Sequence, residues 1–478
     1  MTLVGQLGGL WMLLVLGFLV LRSGLPVWAL LLGVSSFFAA AGLAAGLFDS
    51  RILQALPARS IGLLENDLLQ AMPLYVFMGV LLQRLTLADA LYACLLRLLS
   101  PFAGAPVLAA FGLGALLAPT NGSVAASSAL LSRLIAPRLA HLGAAQSVSV
   151  MSVAATIGVV VPPSLVLLLL GDAMLSAHLE ASRLPGYLQT SQTIINTRDV
   201  MHAALLPALG VLLLWASIAY LKSRRLKPQA KVKISNRQCI TGLITASSIV
   251  LLLAGVFTGR LYAVEAAATG AVLMLLFSFA TRALNFAAWR EVCTQALSLS
   301  GALFALLVGA TTFSLVFRLF GTDRLLSSWL LASTFTPLMG AAIVLILVGL
   351  CAWVLDAFEM IFVIIPLVAP VLIVHLGDAQ QAAVLLLLML QLSFLVPPMG
   401  YAVMMARASF PALTTRQLLT ELWPMLLAQI VITAAVFAFP QTVHWLDAAP
   451  TASSQEPMTD AEVERQMREM SAPSPSAQ

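Results

Sequence analysis

Charge is what this chain has least of. Asp, Glu, Lys and Arg make up 9% of its 478 residues and hydrophobic residues 60%, where a soluble domain averages about 25% charged. That balance excludes an ordinary soluble globular protein and predicts an all-α polytopic membrane protein. A β-barrel is disfavoured, because the apolar runs are continuous and lack the alternation of lipid-facing strands. Cysteine is scarce as well. Cys94, Cys239, Cys293 and Cys351 are scattered, and no pair has metal-ligand or redox spacing. The five histidines are dispersed and no His-Glu-x-x-His pattern occurs. Without a triad, a transition-metal set or a nucleotide-binding P-loop, the expectation is a protein that is no enzyme and carries no cofactor. No basic residue precedes the first apolar run and Arg22 follows it, the reverse of a signal peptide's charge order. The expectation is an uncleaved span with its N-terminus outside.

The charge that is present is best read by location. Lys222, Arg224, Arg225, Lys227, Lys231, Lys233 and Arg237 fall in one stretch with no acid among them, which the positive-inside rule makes a cytoplasmic loop. The run lies between two spans, so a nucleic-acid partner is not expected. From Ala449 onward Pro, Ser, Thr, Glu and Gln dominate. That tail reads as disordered, with a short charged helix at Asp460 to Met470 as the one alternative.

Four interruptions stand out against the apolar background. Ala118-Pro119-Thr120-Asn121-Gly122-Ser123 breaks the run from Val107 to Ala136. Each arm of that run is roughly 11 to 13 residues, below the roughly 20 that cross a bilayer, so a re-entrant hairpin is expected, with one kinked span as its rival. Thr156 to Ser164 contains Pro162-Pro163 inside a second run. Proline removes a backbone donor and blocks the preceding turn, so both helices should unwind locally. A similar pair follows much later: Leu355-Asp356-Ala357-Phe358-Glu359, then Leu395-Val396-Pro397-Pro398-Met399-Gly400. Pro119 and Pro162 lie 43 positions apart, Asp356 and Pro397 41. Interrupted segments at corresponding places in two halves point to a transporter binding site between inverted repeats built from re-entrant hairpins and discontinuous helices.

This divides the chain into five parts. Residues 1–71 hold scaffold spans (Leu7 to Leu21, Leu25 to Phe48) and an amphipathic interfacial helix from Arg51 to Met72. Residues 72–221 form the first repeat, with Pro73 opening its first helix. Leu87 to Leu99 is a second helix or an extension of the first. Residues 222–294 carry the basic loop and scaffold spans, 295–440 the second repeat and 441–478 the polar tail. Ile361 to Leu376 reads as a short arm punctuated by Pro366 and Pro370.

Sodium, a hard cation, wants several oxygens, and unwound carbonyls supply them without full negative charge. Thr120, Asn121, Gly122 and Ser123 offer carbonyls and three side-chain oxygens within four residues. Gly158 and the carbonyls before Pro162 close the same site from the neighbouring segment. Leu355, Asp356, Ala357 and Val396 are the matching set in the second half. Broken helices also expose N–H groups that suit an anionic carboxylate, so Pro162, Pro163, Ser164, Glu359, Pro397, Pro398 and Gly400 are candidates for substrate binding or gating. A charge inside the membrane costs about 2.5–3.5 kcal/mol on insertion scales; Asp356 and Glu359, three apart on one helix face, are therefore functional or paired, unless they sit at the interface. Asp172, Glu265 and Arg318 are weaker candidates. Glu265 is expected to anchor a helix end, and Arg318 to pair with Asp323 or snorkel.

At these motifs the sequence resembles the large membrane (permease) subunit of tripartite ATP-independent periplasmic (TRAP) transporters, from about Leu63 to Met425. The stretches that carry it are Met72-Pro73-Leu74-Tyr75-Val76-Phe77-Met78-Gly79, Gly158 through Asp172, Val264-Glu265-Ala266-Ala267-Ala268, Gly309 through Arg318, Leu355 through Pro370, and Ser393 through Gly400. Phe-Met-Gly, Leu-Gly-Asp and Leu-Asp-x-x-Glu are most similar to the mannitol/chloroaromatic-like branch. The resemblance implies an elevator-type secondary transporter in the bacterial inner (cytoplasmic) membrane. It implies a periplasmic substrate-binding protein, a small four-helix membrane subunit, an organic anion substrate and Na+ as coupling ion. Two departures bear on side-chain ligation: Pro119 in the first hairpin tip, and Leu395-Val396 where relatives tend to place a threonine. The alternatives are a sodium- or proton-coupled anion transporter or exchanger working without a binding protein, and a non-transporting assembly subunit.

Overall fold

In a computed structural model of the protein, the structure describes residues 3–447 except 50, 52–53, 103, 122–123, 188–194, 224–234, 333–335, 353–354, 398–399 and 411; at 3–6, 67, 118–121, 125–126, 140 and 332 it describes the backbone alone. Among the described residues every regular element is helical. The first repeat-bearing half runs α1 (Leu3–Ser23), α2 (Val27–Ala44), α3 (Ala55–Leu64), α4 (Asp67–Arg84), α5 (Leu87–Leu98), α6 (Ala105–Asn121), α7 (Val124–Leu139), α8 (Ala144–Val160), α9 (Leu165–Ala181) and α10 (Thr197–Ser223). The second runs α11 (Asn236–Phe257), α12 (Ala263–Thr281), α13 (Phe286–Leu319), α14 (Thr322–Ala332), α15 (Pro337–Ala352), α16 (Ala357–Glu359), a π turn (Met360–Ile364), α17 (Ile365–Leu376), α18 (Ala379–Ser393), α19 (Tyr401–Arg407) and α20 (Thr415–Ala438). One body covers Met1–Trp445, and Leu446–Gln478 forms a separate unit. The expected tail helix and most of the basic loop lie outside the described residues.

Among the described residues seven helices are long and apolar enough to cross a membrane, or nine if each of two bent pairs is one span. Their burial separates two roles. Within the Ala357–Leu376 span 67% of the window is buried in protein, against 17% for Asn236–Phe257, so the first is wrapped by other helices and the second turns its sides to lipid.

Packing between the halves is reciprocal. α4 packs on α12 and α13 on α2; α7 packs on α19 and α17 on α9; α8 packs on α20 and α18 on α10. α8 meets α18, and α10 meets α20. Exchanging α2, α4, α7, α8, α9 and α10 for α12, α13, α17, α18, α19 and α20 turns each pair into another observed pair, which is the signature of a two-fold relation. The weak sequence repeat is thus a repeat of packing.

Several local expectations need correction. The helix expected to open at Pro73 opens at Asp67, because the Asn66 side chain accepts from Leu68 N at 2.9 Å; an Asn cap outranks a proline signal, and Pro73 lies inside α4. The amphipathic stretch divides between the ten-residue α3, none of it buried, with Ile61 and Leu64 exposed, and the first turns of α4, which begins at Asp67. α5 is a separate helix, bent 72° from α4. The hairpin arms are 17 and 16 residues and pack against each other. Arg318 pairs with Glu180 at 2.7 Å rather than with Asp323, because the end of α13 meets α9's last turn. Glu265 accepts from Tyr262 N at 2.9 Å and anchors α12 as expected.

α5 and α11 cross closely at Gly242. A Cβ there would fall inside contact distance of the Ala90 carbonyl oxygen and 2.7 Å from Cys94 Cβ. Backbone cannot yield as a side chain can, so Gly242→Ala should destabilise the purified protein by about 1–3 kcal/mol. Gly33→Ala, where nothing lies within 4 Å, should leave thermal unfolding nearly unchanged.

Candidate functional site

Each Pro-Pro segment forms a helix break whose backbone groups are largely repaired on the spot. α8 ends as Val161 N donates to Ile157 O at 3.1 Å. Ser164 then caps α9: its Oγ donates to Val159 O at 3.2 Å and accepts from Leu167 N at 3.2 Å. The two helices meet at 43°. From Ser147 to Val160 every residue of α8 is buried except Gly158, and Pro162 and Pro163 are buried after it. Gly158 and Val161 are the two half-buried positions at this break.

The second break is tighter. Gly400 N donates to Val396 O at 2.9 Å, and Ala402 N to Phe394 O at 3.2 Å. A Cβ on Gly400 would meet both carbonyl oxygens at 2.8 Å, so glycine is required for this fold-back. Leu395 and Pro397 are buried and Val396 is half-buried. Pro398 lies outside the described residues.

The hairpin tips differ in character. Contrary to the expected unwinding at Pro119, helical backbone continues through Pro119, Thr120 and Asn121 to the end of α6; Gly122 and Ser123 lie outside the described residues. At the other tip Glu359 Oε2 accepts from Asp356 N at 3.1 Å, the N3-to-cap half of a capping box. Ala357 is buried and Leu355, Asp356 and Glu359 are half-buried. Asp356 Oδ1 is buried with no hydrogen-bond partner among the described residues. Beyond Glu359 the helix widens into the π turn, where Ile365 N donates to Met360 O. Pro366 has no N–H to give, and its ring crowds the carbonyl four residues back; widening the preceding turn relieves that. The expected short arm is therefore part of one continuous helix from Ala357 to Leu376.

Packing brings these segments together. α19 lies against α7 and α8, and the π turn against α9 and α13. Tyr401, at the start of α19, lies near Asp356 and Glu359 of the same half. The helices flanking each break have neighbours from the opposite half. Asp172 stands apart, bonded to the Asn66 side chain at α4's cap.

Sequence reasoning missed a polar chain through this core. Gln391 Nε2 donates to Thr156 O at 3.3 Å, and Gln429 Nε2 donates to Gln391 Oε1 at 2.9 Å. Gln381 Nε2 donates to Val436 O at 2.9 Å near the other end of α18. The signal was present: glutamines inside otherwise apolar runs are costly to bury without partners.

Glu359 can be tested as a backbone acceptor. Glu359→Gln keeps an oxygen for Asp356 N–H, whereas Glu359→Ala leaves that donor unpaired in the interior. The alanine variant should lose about 1 kcal/mol more stability than the glutamine variant in thermal unfolding.

Three comparisons with known proteins bear on this arrangement. The family model for the tripartite ATP-independent periplasmic transporter, DctM component, matches residues 12–442. The C4-dicarboxylate TRAP transporter large permease protein DctM of Rhodobacter capsulatus is 22% identical over 385 residues, covering 79% of this chain and 86% of that protein. The sialic acid TRAP transporter large permease protein SiaM of Vibrio cholerae is 20% identical, over 60% of this chain and 63% of that one. The isethionate TRAP transporter permease protein DctMQ of Oleidesulfovibrio alaskensis is 22% identical over 78% of this chain and 57% of that one. Among solved structures, the Alcanivorax borkumensis YdaH transporter, described as having an unusual topology, aligns with a TM-score of 0.59 at 16% identity, covering 91% of this chain and 98% of that one. That likeness concerns the fold.

Proposed function

Because the chain belongs to the DctM-component family of tripartite ATP-independent periplasmic transporters, we propose that it is the permease of a sodium-coupled importer of a small organic acid anion. The chain is a multi-pass membrane transport protein of the bacterial inner membrane and not an enzyme. The single observation behind the finer reading is that the helices flanking both breaks pack against helices of the opposite half. Irregular backbone at membrane depth is tolerated only where protein buries it or it lines a cavity, and the half-buried Gly158, Val161, Asp356, Glu359 and Val396 edge such a place.

On this reading sodium is held by carbonyls and side-chain oxygens of Thr120 to Ser123 with Gly158, and in the other half by Leu355, Asp356 and Ala357 with Val396. Carbonyls that already accept one hydrogen bond retain a second lone pair for a cation. The α9 end at Pro162, Pro163 and Ser164, and the segment at Glu359, Pro397, Pro398 and Gly400, bind or gate the anion. Relatives named for C4-dicarboxylates, sialic acid and isethionate share one chemistry, a small organic anion, and that class is carried over here. A periplasmic substrate-binding protein delivers it, and a small four-helix membrane subunit braces the scaffold spans. The inverted repeats move the site across the bilayer as an elevator.

The ion is the first thing to test. Thermal unfolding of the protein with its small subunit should rise in sodium chloride relative to choline chloride at equal ionic strength. Stabilisation should reach roughly 2.7 kcal/mol at about 100 times the dissociation constant. The rise should shrink in Asn121→Ala. Equal unfolding in both salts over a wide range would overturn sodium binding in this state. Uptake of labelled succinate, sialic acid and isethionate into proteoliposomes, with and without the binding protein, then identifies the anion and the need for delivery.

A further inference from the structure

Gln391 and Gln429 are 1% and 0% exposed, on two helices that are otherwise strongly apolar at those depths. Their hydrogen bonds run in one direction only. Thr156 O is a carbonyl and can only accept, so the Gln391 amide nitrogen must face it at 3.3 Å. Gln391 Oε1 is then left to accept, and the Gln429 amide nitrogen faces it at 2.9 Å, while also donating to Leu388 O at 3.3 Å. Flipping either amide sets oxygen against oxygen, so no other assignment satisfies the chain. Gln429 Oε1 is the buried remainder without a partner among the described residues.

This relay joins three helices at a particular place. Thr156 lies at the start of the last turn of α8, one residue before the carbonyl that receives Val161 N and six before Pro162. Gln391 lies two residues before the end of α18, where the second break begins. Gln429 is in the middle of α20, which is bonded independently to α10 through Trp215 Nε1 and Met425 O at 2.9 Å. A further bond links the same two layers, from Ser152 Oγ to Ala402 O at 3.5 Å. A helix end next to a break frays easily, because the carbonyls beyond Thr156 and Ile157 have no further turn to supply their donors. An extra donor held by two buried amides opposes that.

We propose that Gln391 and Gln429 are positioning residues: they fix the last turn of α8, and with it the carbonyls offered at the first break, relative to the break after α18. The ion-related part of this inference rests on the sodium-coupled reading; the fixing of the turn does not. Neither amide touches ion or substrate; both act through Thr156.

The test combines two measurements on the full chain in lipid nanodiscs. Hydrogen exchange of the Ile157–Val161 amides should be about fivefold faster in Gln391→Leu, the factor that one ordinary hydrogen bond carries. Gln429→Leu should act in the same direction. The double variant should be no faster than Gln391→Leu alone, since both cut one chain. Trp215→Phe removes a buried bond from α20 that lies off the relay, and should leave those amides at their wild-type rate. Titration of thermal unfolding with sodium chloride against choline chloride should show the apparent sodium affinity of Gln391→Leu weakened by a similar factor. Unchanged exchange in Gln391→Leu, or the same acceleration in Trp215→Phe, overturns the proposal. So does wild-type sodium affinity in Gln391→Leu when the wild type responds to sodium. If the wild type itself shows no sodium response, the sodium-coupled reading fails, and the exchange measurement alone decides the relay.

Discussion

A backbone N–H or C=O without a partner is tolerated in water and costs several kcal/mol in hydrocarbon. The described parts of the breaks are built under that constraint. Val159 O takes the Ser164 hydroxyl, Phe394 O takes Ala402 N, Val396 O takes Gly400 N, and Asp356 N finds Glu359. The repairs are local and use the residues that break the helix or those beside them. A few carbonyl lone pairs remain on half-buried backbone, the kind of acceptor a dehydrated cation needs and a lipid-facing helix never offers.

Local repair does not hide the broken segments from lipid, and neither half of the chain can do so alone. α9, which follows the first break, is covered by α17 of the other half; α19, which follows the second, is covered by α7. The same reciprocity holds for α8 with α20 and α18 with α10. A doubled chain therefore solves a burial problem as well as a symmetry problem: each repeat lends the other the surface that its own interruptions lack. The outer helices complete the arrangement. α11 is mostly open to lipid while Ala357–Leu376 is mostly enclosed, so the segments with irregular backbone lie behind regular ones.

Much of this was legible in the sequence because membrane helices announce themselves by composition and their breaks by proline. Membrane class, helical fold, the two Pro-Pro segments and the corresponding tips all follow from residues that cannot be continuous helix in lipid. What was not legible depends on which helix lies beside which. Arg318 finds Glu180 on α9, not the nearer-in-sequence Asp323, because the reach of a side chain follows tertiary packing. Pro73 looked like a helix start until Asn66 proved the better cap. The glutamine relay needed Thr156, Gln391 and Gln429 to be brought together from 235 and 38 positions apart, and no spacing rule encodes that. Pro366 was read as punctuation, whereas a single π turn absorbs it without ending the helix.

The two halves match in shape and differ in charge, and that difference bears on how an ion and an anion could share one site. The first tip, Thr120 to Ser123, is neutral, and the second carries Asp356 and Glu359. An isolated charge moved into a low-dielectric interior is expensive, and opposite charges moved together recover part of that cost. On the proposed reading a cation bound at the second tip is offset by carboxylates already there. A cation at the neutral tip has no such counter-charge from Thr120 to Ser123. The organic anion is the natural source of it. The neutral tip is then the place where sodium and substrate depend on each other, and the acidic tip the place where a cation can bind without substrate. On that reading a two-fold frame with unequal charges would give the two tips different tasks, without needing a different fold for either.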